Sequence, residues 1–240
     1  MSPREERMAA VTGSTRGIGF GVAKGLVEDG WTVLVGSRSQ ERVDEAVGRL
    51  EGAGPGRVRG RVLDVRRRES CRAFVTEAVR WGGRLDLLVN NAGVGRFRPI
   101  QEMAPEDWEL QIRTNLDGVF HSSQAAIPHL MENENGGWIV NVGSIASRTA
   151  IAGGAAYNAS KFGLLGLTEA MMFDLRQHGI RVTIVMPGSV ETEFHDGEPP
   201  GGSWKLQAED VARTIRDLLA YPHRAHPSRI ELRPTRPPGK

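Results

Sequence analysis

Short apolar runs alternate with longer helical patterns along the whole chain, and this alternation restricts the fold more than any other feature. We predict seven of these runs as β-strands: 8–12, 31–36, 57–64, 85–90, 138–142, 180–186 and 229–232. Strands that are apolar along most of their length are typical of a parallel sheet that helices cover on both faces. The sequence therefore predicts an α/β fold with a doubly wound parallel sheet.

Two of the predicted helices bear on function. The first extends from about 104 to 131 and carries Asn115 on a face that the apolar periodicity predicts to be buried. A hydrogen-bonded core amide is therefore one interpretation of Asn115. The second carries Tyr157 and Lys161 and is predicted to continue to about 178. Its apolar residues spread over more than one stripe, so one of its sides is available to another subunit.

The length of the chain sets its domain organisation. The 240 residues suffice for one large α/β domain and are few for two. The sequence contains no internal repeat or linker, so we expect residues 1–240 to form a single domain with a core of about 7–233. The tail 234–240 contains three prolines and is expected to be flexible.

Charge and cysteine content exclude several classes of protein. The net charge of +2 comes from 31 basic and 29 acidic residues, so we expect neither nucleic acid nor a membrane as a partner. A single cysteine, Cys71, excludes an internal disulfide, fits a reducing compartment and is expected to be buried. The N-terminus shows no apolar run typical of a signal peptide, which favours a cytoplasmic location. The six histidines lack metal-ligand spacing, so no metal is expected.

A glycine-rich turn follows the first predicted strand and leads into a helical pattern. Its sequence from 13 to 19 is GSTRGIG, with glycines at 13, 17 and 19. Strand, glycine turn and helix are the context of a phosphate-binding loop, because glycines allow close backbone approach and a helix N-terminus attracts anions. The spacing differs from the Gly-x-Gly-x-x-Gly of the standard dinucleotide fingerprint. A glycine turn without a ligand is the alternative interpretation.

Arg38 follows the second predicted strand and bears on the choice of cofactor. In a βαβ nucleotide-binding unit this strand end faces the adenosine ribose, where a carboxylate binds the 2′-hydroxyl and an arginine accepts a 2′-phosphate. No acidic residue stands at 36–39, and Arg16 in the glycine turn is a second cation. These features favour NADP(H), with NAD(H) as the alternative. The competing interpretation is that both arginines are ordinary solvated residues.

The run Arg66-Arg67-Arg68 opens the third predicted helix. Cations are unfavourable at this position, because the N-terminal end of a helix dipole is positive. One interpretation is a solvated run of charges. The other is a weak electrostatic guide for cofactor phosphates.

Three residues able to bind or transfer a proton follow the fifth predicted strand. Ser144 comes directly after 138–142, at the carboxyl edge where open parallel sheets bind ligands. Tyr157 and Lys161 are four residues apart and share one face of their helix. A general acid–base near neutral pH requires that the pKa of tyrosine fall from about 10 to about 7, which takes about 4 kcal/mol. One cation about 4 Å away supplies about 4 kcal/mol at an effective dielectric of about 20.

The expected substrate pocket is largely apolar. The segment 193–205 is rich in glycine and proline and is predicted to be a short mobile flap over the site. The apolar residues expected to line the pocket are Val94, Phe97, Ile145, Ile151, Phe194 and Trp204. Such a pocket suits many ketones and aldehydes and does not single one out.

Several motifs, in this order along the chain, resemble those of the short-chain dehydrogenases/reductases. They are TGSTRGIG at 12–19, Asp64, NNAG at 90–93, Asn115, Ser144, Tyr157 with Lys161, and PGSVET at 187–192. The resemblance implies a Rossmann-type sheet of seven parallel strands in the order 3-2-1-4-5-6-7, with helices on both faces. It also implies an oxidoreductase that transfers hydride between a nicotinamide and a carbonyl or secondary alcohol.

The resemblance further implies a role for each matching residue. The implied catalytic tetrad is Asn115, Ser144, Tyr157 and Lys161. In this tetrad Tyr157 is the general acid–base, Ser144 binds the developing alkoxide, and Asn115 holds a water that relays protons past Lys161. The implied cofactor-binding set is Gly13, Ser14, Thr15, Arg16, Gly17, Ile18, Gly19, Arg38, Asp64, Val65, Asn91, Ala92, Gly93, Tyr157, Lys161, Pro187, Gly188, Val190 and Thr192. Asp64 is expected beside adenine, and Val190 and Thr192 beside the nicotinamide carboxamide.

The expected activity is that of an NADP(H)-dependent carbonyl reductase or alcohol dehydrogenase acting on a small molecule, and three alternatives stay open. A 3-oxoacyl-[acyl-carrier-protein] reductase would need a basic docking surface, for which Arg96 and Arg98 are the candidates. A 3-hydroxy acid dehydrogenase is the second alternative, because the segment 229–235 differs from the glycine-rich C-terminal strand of many relatives and is more similar to that of members that oxidise 3-hydroxy acids or reduce small carbonyls. A nicotinamide-binding regulator is disfavoured by the complete tetrad. We expect a homo-oligomer, and the C-terminal difference leaves both a tetramer and a dimer open.

Overall fold

The computed structural model describes residues 7–134, 136–192 and 204–237. Within these ranges the strands are β1 (Met8–Thr12), β2 (Thr32–Ser37), β3 (Arg57–Val62), β4 (Leu87–Asn90), β5 (Trp138–Val142), β6 (Arg181–Pro187) and β7 (Arg229–Leu232). They form one sheet in the order β3-β2-β1-β4-β5-β6-β7, and every neighbouring pair is parallel. The expected fold class and strand order are confirmed.

Helices cover both faces of this sheet. The α-helices of the described ranges are α1 (Gly17–Glu28), α2 (Gln40–Leu50), α3 (Arg68–Gly82), α4 (Pro105–Ile112), α5 (Gly118–Met131), α6 (Ala155–Leu175) and α7 (Ala208–Leu219). Alternate residues of β1 point to opposite faces, so Ala9 and Val11 join the apolar layer beneath α1, α2 and α7. Met8 and Ala10 join the layer beneath α3, α5 and α6. Each layer buries one face of the sheet.

β3 is one of the two edge strands of the sheet, with β7 at the other edge, and it departs from the apolar pattern. Arg57, Arg59 and Arg61 are exposed along it, and the guanidinium of Arg59 lies 4.9 Å from the centroid of the Trp81 ring. Charged side chains on an edge strand discourage pairing with the edge of another sheet. The exposed arginines are therefore consistent with the position of β3 at the edge of the sheet.

The predicted helix from 104 to 131 is interrupted in the structure. A π-helical turn, Arg113–Asp117, separates α4 from α5 and contains the buried Asn115. Such turns are rare and occur mostly at functional sites. Apolar periodicity does not reveal the turn, because its one extra residue only slightly shifts the stripe. The side-chain hydrogen bonds of Asn115 to Val94 and Ser160 stabilise this irregular backbone.

A buried chain of amides connects the sheet to the helices around the site. The Nδ2 atom of Asn90 in β4 donates to Ser123 Oγ at 3.0 Å and to Asn141 Oδ1 at 2.9 Å. Asn141 in β5 in turn donates to Thr168 Oγ1 in α6 at 2.9 Å. These bonds fix the position of α6 relative to the carboxyl ends of β4 and β5.

The substitution Asn141→Leu tests this connection. It removes the hydrogen bonds from Asn90 to Asn141 and from Asn141 to Thr168 and leaves these buried partners unsatisfied. We therefore expect the free energy of unfolding to fall by about 1–3 kcal/mol. Urea unfolding followed by circular dichroism measures the change. Thr168→Val should cost less in the Asn141→Leu background than in the wild type, because the shared bond is already absent. Equal costs in both backgrounds would show that the two residues do not interact.

Candidate active site

A cleft of about 990 Å³ follows the carboxyl edge of the sheet and is lined by residues that come after β1 to β6. Open parallel sheets bind their ligands at this edge, and the volume suits a ligand of cofactor size. The sequence-predicted residues that line it are Gly13, Thr15, Arg16, Gly17, Ile18, Arg38, Asp64, Val65, Asn91, Ala92, Gly93, Ser144, Tyr157, Lys161, Pro187, Gly188, Val190 and Thr192. Ser14, Gly19 and Asn115 are not part of the lining.

Two glycines of the turn are required by internal packing. Gly13 has a φ of +62°, and a Cβ added to it would lie 2.7 Å from the Cα of Ala92. A Cβ on Gly19 would collide with the side chain of Asn91, whose Nδ2 donates to Gly13 O at 2.8 Å. Ser14 is also used internally, because its Oγ donates to Val11 O at 2.7 Å. The turn is thus packed tightly against the end of β4, and its other residues face the cleft.

The start of α1 fits an anionic ligand. Arg16 occupies the N-cap position without a side-chain capping bond, and the first turn contains no acidic residue. The first N–H groups of a helix and its positive dipole end favour phosphate. Gly17, with a φ of +53°, and Arg16 both face the cleft here. This part of the site fits the pyrophosphate of a dinucleotide.

Basic residues surround the far end of the cleft, where the ends of β2 and β3 meet. Arg38, Arg42 and Arg66 line it, together with the acidic Asp64. Arg66 donates to both carboxylate oxygens of Asp64, from Nε at 2.8 Å and from Nη2 at 2.6 Å. These bonds, with a smaller contribution from the charge of Arg38, lower the pKa of Asp64 below its ordinary value. This end of the cleft therefore carries a net positive charge.

Sequence reasoning placed neither Arg66 nor Arg42 in the cofactor-binding set. The run 66–68 had two interpretations, a solvated run and a weak electrostatic guide for cofactor phosphates, but the pairing of Arg66 with Asp64, two residues before it, was not predicted. Arg42 follows Arg38 by four residues and faces the same end of the cleft. Spacing from a motif residue was the available signal in both cases.

The groups predicted to bind or transfer a proton meet at the end of β5 and the start of α6. The hydroxyl of Tyr157 is hydrogen-bonded to Ser144, and the Phe97 ring centroid lies 5.3 Å from that of Tyr157. Lys161 Nζ donates to the carbonyl of Val142 at 2.9 Å and lies 5.8 Å from the Tyr157 ring centroid. Tyr157 and Lys161 are only 8% and 5% exposed. The cleft thus holds a buried phenol beside a buried ammonium.

Burial dominates the acidity of both groups. Burial raises the pKa of Tyr157, and the hydrogen bond to Ser144 opposes this increase. Burial lowers the pKa of Lys161 to about 8. The structure therefore differs from the expectation that Lys161 lowers the pKa of Tyr157. The lysine points its ammonium at the Val142 carbonyl, and desolvation of the phenol outweighs any attraction between them.

Asn115 lies behind the wall of the cleft. Its Oδ1 accepts from Val94 N at 2.8 Å, and its Nδ2 donates to Val94 O at 2.9 Å and to Ser160 Oγ at 3.0 Å. The side chain is 1% exposed. Asn115 therefore connects the loop after β4 with α6, and both polar atoms of its amide have protein partners.

The apolar residues expected at the substrate end are found there, with one outside the described residues. Val94, Phe97, Ile145, Ile151 and Trp204 line the cleft. Two predicted segments lie partly outside the described residues. These are 193–203 of the predicted flap, which includes Phe194, and 238–240 of the predicted tail. The described start of the tail lies against the site, since a Cβ on Gly188 would come within 2.9 Å of Pro234.

The family follows from a comparison with known protein families. Residues 7–200 match the model described as short chain dehydrogenase. The chain belongs to the short-chain dehydrogenase family. It is therefore an oxidoreductase by family, and the motif resemblance is confirmed.

Curated relatives and solved structures agree with this assignment. The chain is 37% identical to a 3-oxoacyl-[acyl-carrier-protein] reductase of Thermotoga maritima over 81% of this chain and 78% of the relative. It is 35% identical to sulfoacetaldehyde reductase 2 of Chromohalobacter salexigens over 94% and 93% of the two chains. The solved alcohol dehydrogenase of Thermococcus sibiricus, complexed with 5-hydroxy-NADP, superposes with a TM-score of 0.91 at 27% identity. That superposition covers 98% of this chain and all of the other.

No group of three or more His, Cys, Asp or Glu residues in the described part of the chain could hold a metal ion. In the same residues, no helix has the length and apolar character needed to span a membrane. Cys71 is buried, as expected.

The depressed pKa of Lys161 makes stability depend on pH in a predictable direction. In the apoprotein this pKa is about 8 instead of its ordinary 10.5, so between these values the unfolded chain binds a proton that the folded chain lacks. The free energy of unfolding therefore rises with pH across this window. Lys161→Met has no group at this position that titrates in this window. The free energy of unfolding of the wild type should therefore rise by about 2 kcal/mol relative to that of Lys161→Met between about pH 7.5 and about pH 10.

Chemical denaturation at several pH values measures this difference. Lys24→Met is a matched control, because Lys24 is solvent-exposed and its side chain pairs only at the surface with Glu28. The control curve should follow the wild type at every pH. A constant gap between the wild type and Lys161→Met would contradict the account.

Proposed function

We propose that this short-chain dehydrogenase is an NADP(H)-dependent oxidoreductase that interconverts a carbonyl compound and its secondary alcohol. The observation that carries the proposal is the hydrogen-bonded pair Tyr157–Ser144 beside the buried ammonium of Lys161. These groups share one cleft with a helix N-terminus and a cluster of arginines. Proton transfer and phosphate binding are thus available in a single site.

The cleft has room and charge for the whole cofactor. The residues proposed to hold it are those of the predicted cofactor-binding set that line the cleft, with Arg42 and Arg66 added. The start of α1 would take the pyrophosphate, and Val190 and Thr192 the nicotinamide carboxamide. When bound there, the nicotinamide supplies the hydride in reduction and accepts it in oxidation. Ser14 and Gly19 would support the turn from behind.

Tyr157 is proposed as the proton donor to the carbonyl oxygen. In reduction, hydride adds to the carbonyl carbon and the phenolic proton moves to the oxygen, after which solvent reprotonates the phenolate. A raised pKa keeps the phenol protonated at neutral pH, which favours carbonyl reduction. Ser144 is proposed to stabilise charge on the same oxygen, and its hydrogen bond to Tyr157 supports this role.

Lys161 and Asn115 are proposed to support this step in different ways. The ammonium of Lys161 stabilises the phenolate that forms on Tyr157, since a positive charge is most effective in a water-poor site. Asn115 was expected to hold a relay water. Its three side-chain bonds to Val94 and Ser160 support a positioning role instead. Ser160 lies on the same helix as Tyr157 and Lys161, so these bonds help to orient that helix.

Selectivity for NADP(H) is proposed to come from the arginines at the end of β2 and β3. Arg38, Arg42 and Arg66 surround the position expected for the adenosine 2′-phosphate, and Asp64 is already paired with Arg66. A 2′-hydroxyl of NAD(H) would need a carboxylate at the end of β2, and positions 36–39 contain none, which disfavours NAD(H). The 5-hydroxy-NADP in the Thermococcus sibiricus structure supports the same cofactor class.

A reductase acting on carrier-bound 3-oxoacyl groups is the second candidate. The Thermotoga maritima relative carries that name, and the exposed Arg98 follows Phe97, which lines the cleft. If the protein reduces an acetoacetyl-carrier thioester much faster than it reduces free ketones, the result would favour this second candidate. Oxidation of 3-hydroxy acids in preference to simple alcohols would favour a 3-hydroxy acid dehydrogenase. NADPH binding without turnover of any of these compounds would favour a regulator.

We also propose that the protein is a cytoplasmic homo-oligomer, a dimer or a tetramer. Phe162 and Phe173 on α6 are 46% and 56% exposed, and Phe120 on α5 is 45% exposed. Exposed apolar side chains of this size are common at interfaces between subunits. Sedimentation of the purified protein distinguishes the two assemblies from a monomer.

Tyr157→Phe tests the proton donor. The variant keeps the ring and loses the hydroxyl, so we expect kcat to fall about 10²- to 10⁴-fold while NADPH binding persists. NADPH oxidation with a carbonyl panel gives kcat, and fluorescence titration gives the affinity. Tyr221→Phe is the control, because Tyr221 is 49% exposed and does not line the cleft. Retention of most activity in Tyr157→Phe would exclude Tyr157 as the donor.

Arg38→Asp tests cofactor selectivity. Loss of a charged contact and added repulsion of a 2′-phosphate should lower the ratio of kcat/KM for NADPH over NADH by at least about tenfold. The matched control is Arg72→Asp, since Arg72 is exposed on α3 and does not line the cleft. An unchanged ratio in Arg38→Asp would remove this residue from the selectivity account.

A further inference from the structure

Two amide side chains, one helical turn apart, hold the loop that follows β4. Asn115 bonds to both the N–H and the carbonyl of Val94, at 2.8 and 2.9 Å. Gln111 does the same to Arg96, with its Oε1 accepting from Arg96 N at 3.0 Å and its Nε2 donating to Arg96 O at 3.2 Å. Residues i and i+2 of an extended segment present these groups on the same side. The two amides thus take the place of a neighbouring strand.

Gln111 is fully committed to this task. It is 0% exposed, and its Nε2 also donates to Asp107 O at 3.1 Å within α4. Burying a glutamine costs free energy unless its amide forms hydrogen bonds. Because the bonds of Gln111 to Arg96 meet this requirement, they restrain the loop as well as the side chain of Gln111. No motif in the sequence marked this residue.

The loop held in this way carries a wall of the cleft. Arg98 N donates to Gly153 O at 2.9 Å, so the segment is fixed at 94, at 96 and at 98. Phe97 lies between the last two of these points, and its ring packs against Tyr157 with a centroid distance of 5.3 Å and an interplanar angle of 57°. The position of Phe97 therefore depends on the bonds on either side of it.

We propose that Gln111 is a positioning residue that sets substrate selectivity through Phe97. By fixing Arg96 it keeps the Phe97 ring against Tyr157, where the ring forms a surface for the substituent of the reacting carbonyl. The substrate class that fits this surface is a ketone or aldehyde with an aromatic or branched apolar group. The inference rests on the proposed function, because it takes Tyr157 as the proton donor.

The kinetic test compares an aryl alkyl ketone with a small aliphatic ketone in the full-length protein. Gln111→Met keeps the length of the side chain and removes its polar atoms. We expect kcat/KM for the aryl ketone relative to the aliphatic one to fall about tenfold, mainly through KM, with unchanged NADPH affinity. Gln124→Met is the control, because Gln124 is exposed on α5. An unchanged ratio, or equal losses for both ketones, would overturn the proposal.

A double-mutant cycle tests whether Gln111 acts through Phe97. Phe97→Leu should lower the same selectivity ratio by itself. If the proposal is correct, Gln111→Met adds little further loss in the Phe97→Leu background, because the positioned ring is already absent. Independent, multiplicative losses would show that Gln111 does not act through Phe97.

Hydrogen exchange separates this inference from the proposed function, because it needs no turnover. The amide of Arg96 should exchange slowly in the wild type and in Gln124→Met, and faster in Gln111→Met. Unchanged exchange in Gln111→Met would overturn the positioning role whatever the activity. If Arg96 loses protection but the wild type reduces no carbonyl with NADPH, the proposed function fails and with it the selectivity role, while the positioning of the loop stands.

Discussion

The site depends on one costly interaction, the burial of the Lys161 ammonium against the carbonyl of Val142. A buried cation is expensive to desolvate, and here its hydrogen bond within the described residues goes to a neutral carbonyl at 2.9 Å. The cost appears as a pKa lowered to about 8. Strongly shifted groups of this kind cluster at functional sites, because structure alone does not require them. The end of β5, the start of α6 and the loop around Phe97 enclose this charge together with Tyr157.

The alternation of strands and helices could be predicted from the sequence, because both faces of the sheet are buried and the central strands are apolar along most of their length. The parallel direction follows from that pattern, whereas the strand order came from the family resemblance. The π turn at Arg113–Asp117 could not be predicted, since a single extra residue leaves the apolar stripe nearly intact. The edge position of β3 was visible in its arginines but was not inferred from them.

The gathering of Ser144, Tyr157 and Lys161 in one cleft could also be anticipated, because motif order and the carboxyl edge of the sheet place them together. Their acidities could not. Whether Lys161 lowers the pKa of Tyr157 depends on where its ammonium points and how dry the site is, and both are set by tertiary packing. The same holds for side-chain partners. Asn115 bonds to Val94, 21 residues before it, and Ser160, 45 residues after it, contacts that appear only when these segments meet in the fold.

The central claim is that this cleft transfers hydride from NADPH to a carbonyl carbon. The most direct measurement uses NADPH with both hydrogens at C4 of the nicotinamide replaced by deuterium, a panel of aromatic and aliphatic carbonyl compounds, and mass spectrometry of the alcohol products. The account predicts alcohol that carries deuterium on the carbinol carbon, formed in step with NADPH oxidation. A folded protein that binds NADPH and yields no deuterated alcohol from any member of the panel would contradict it.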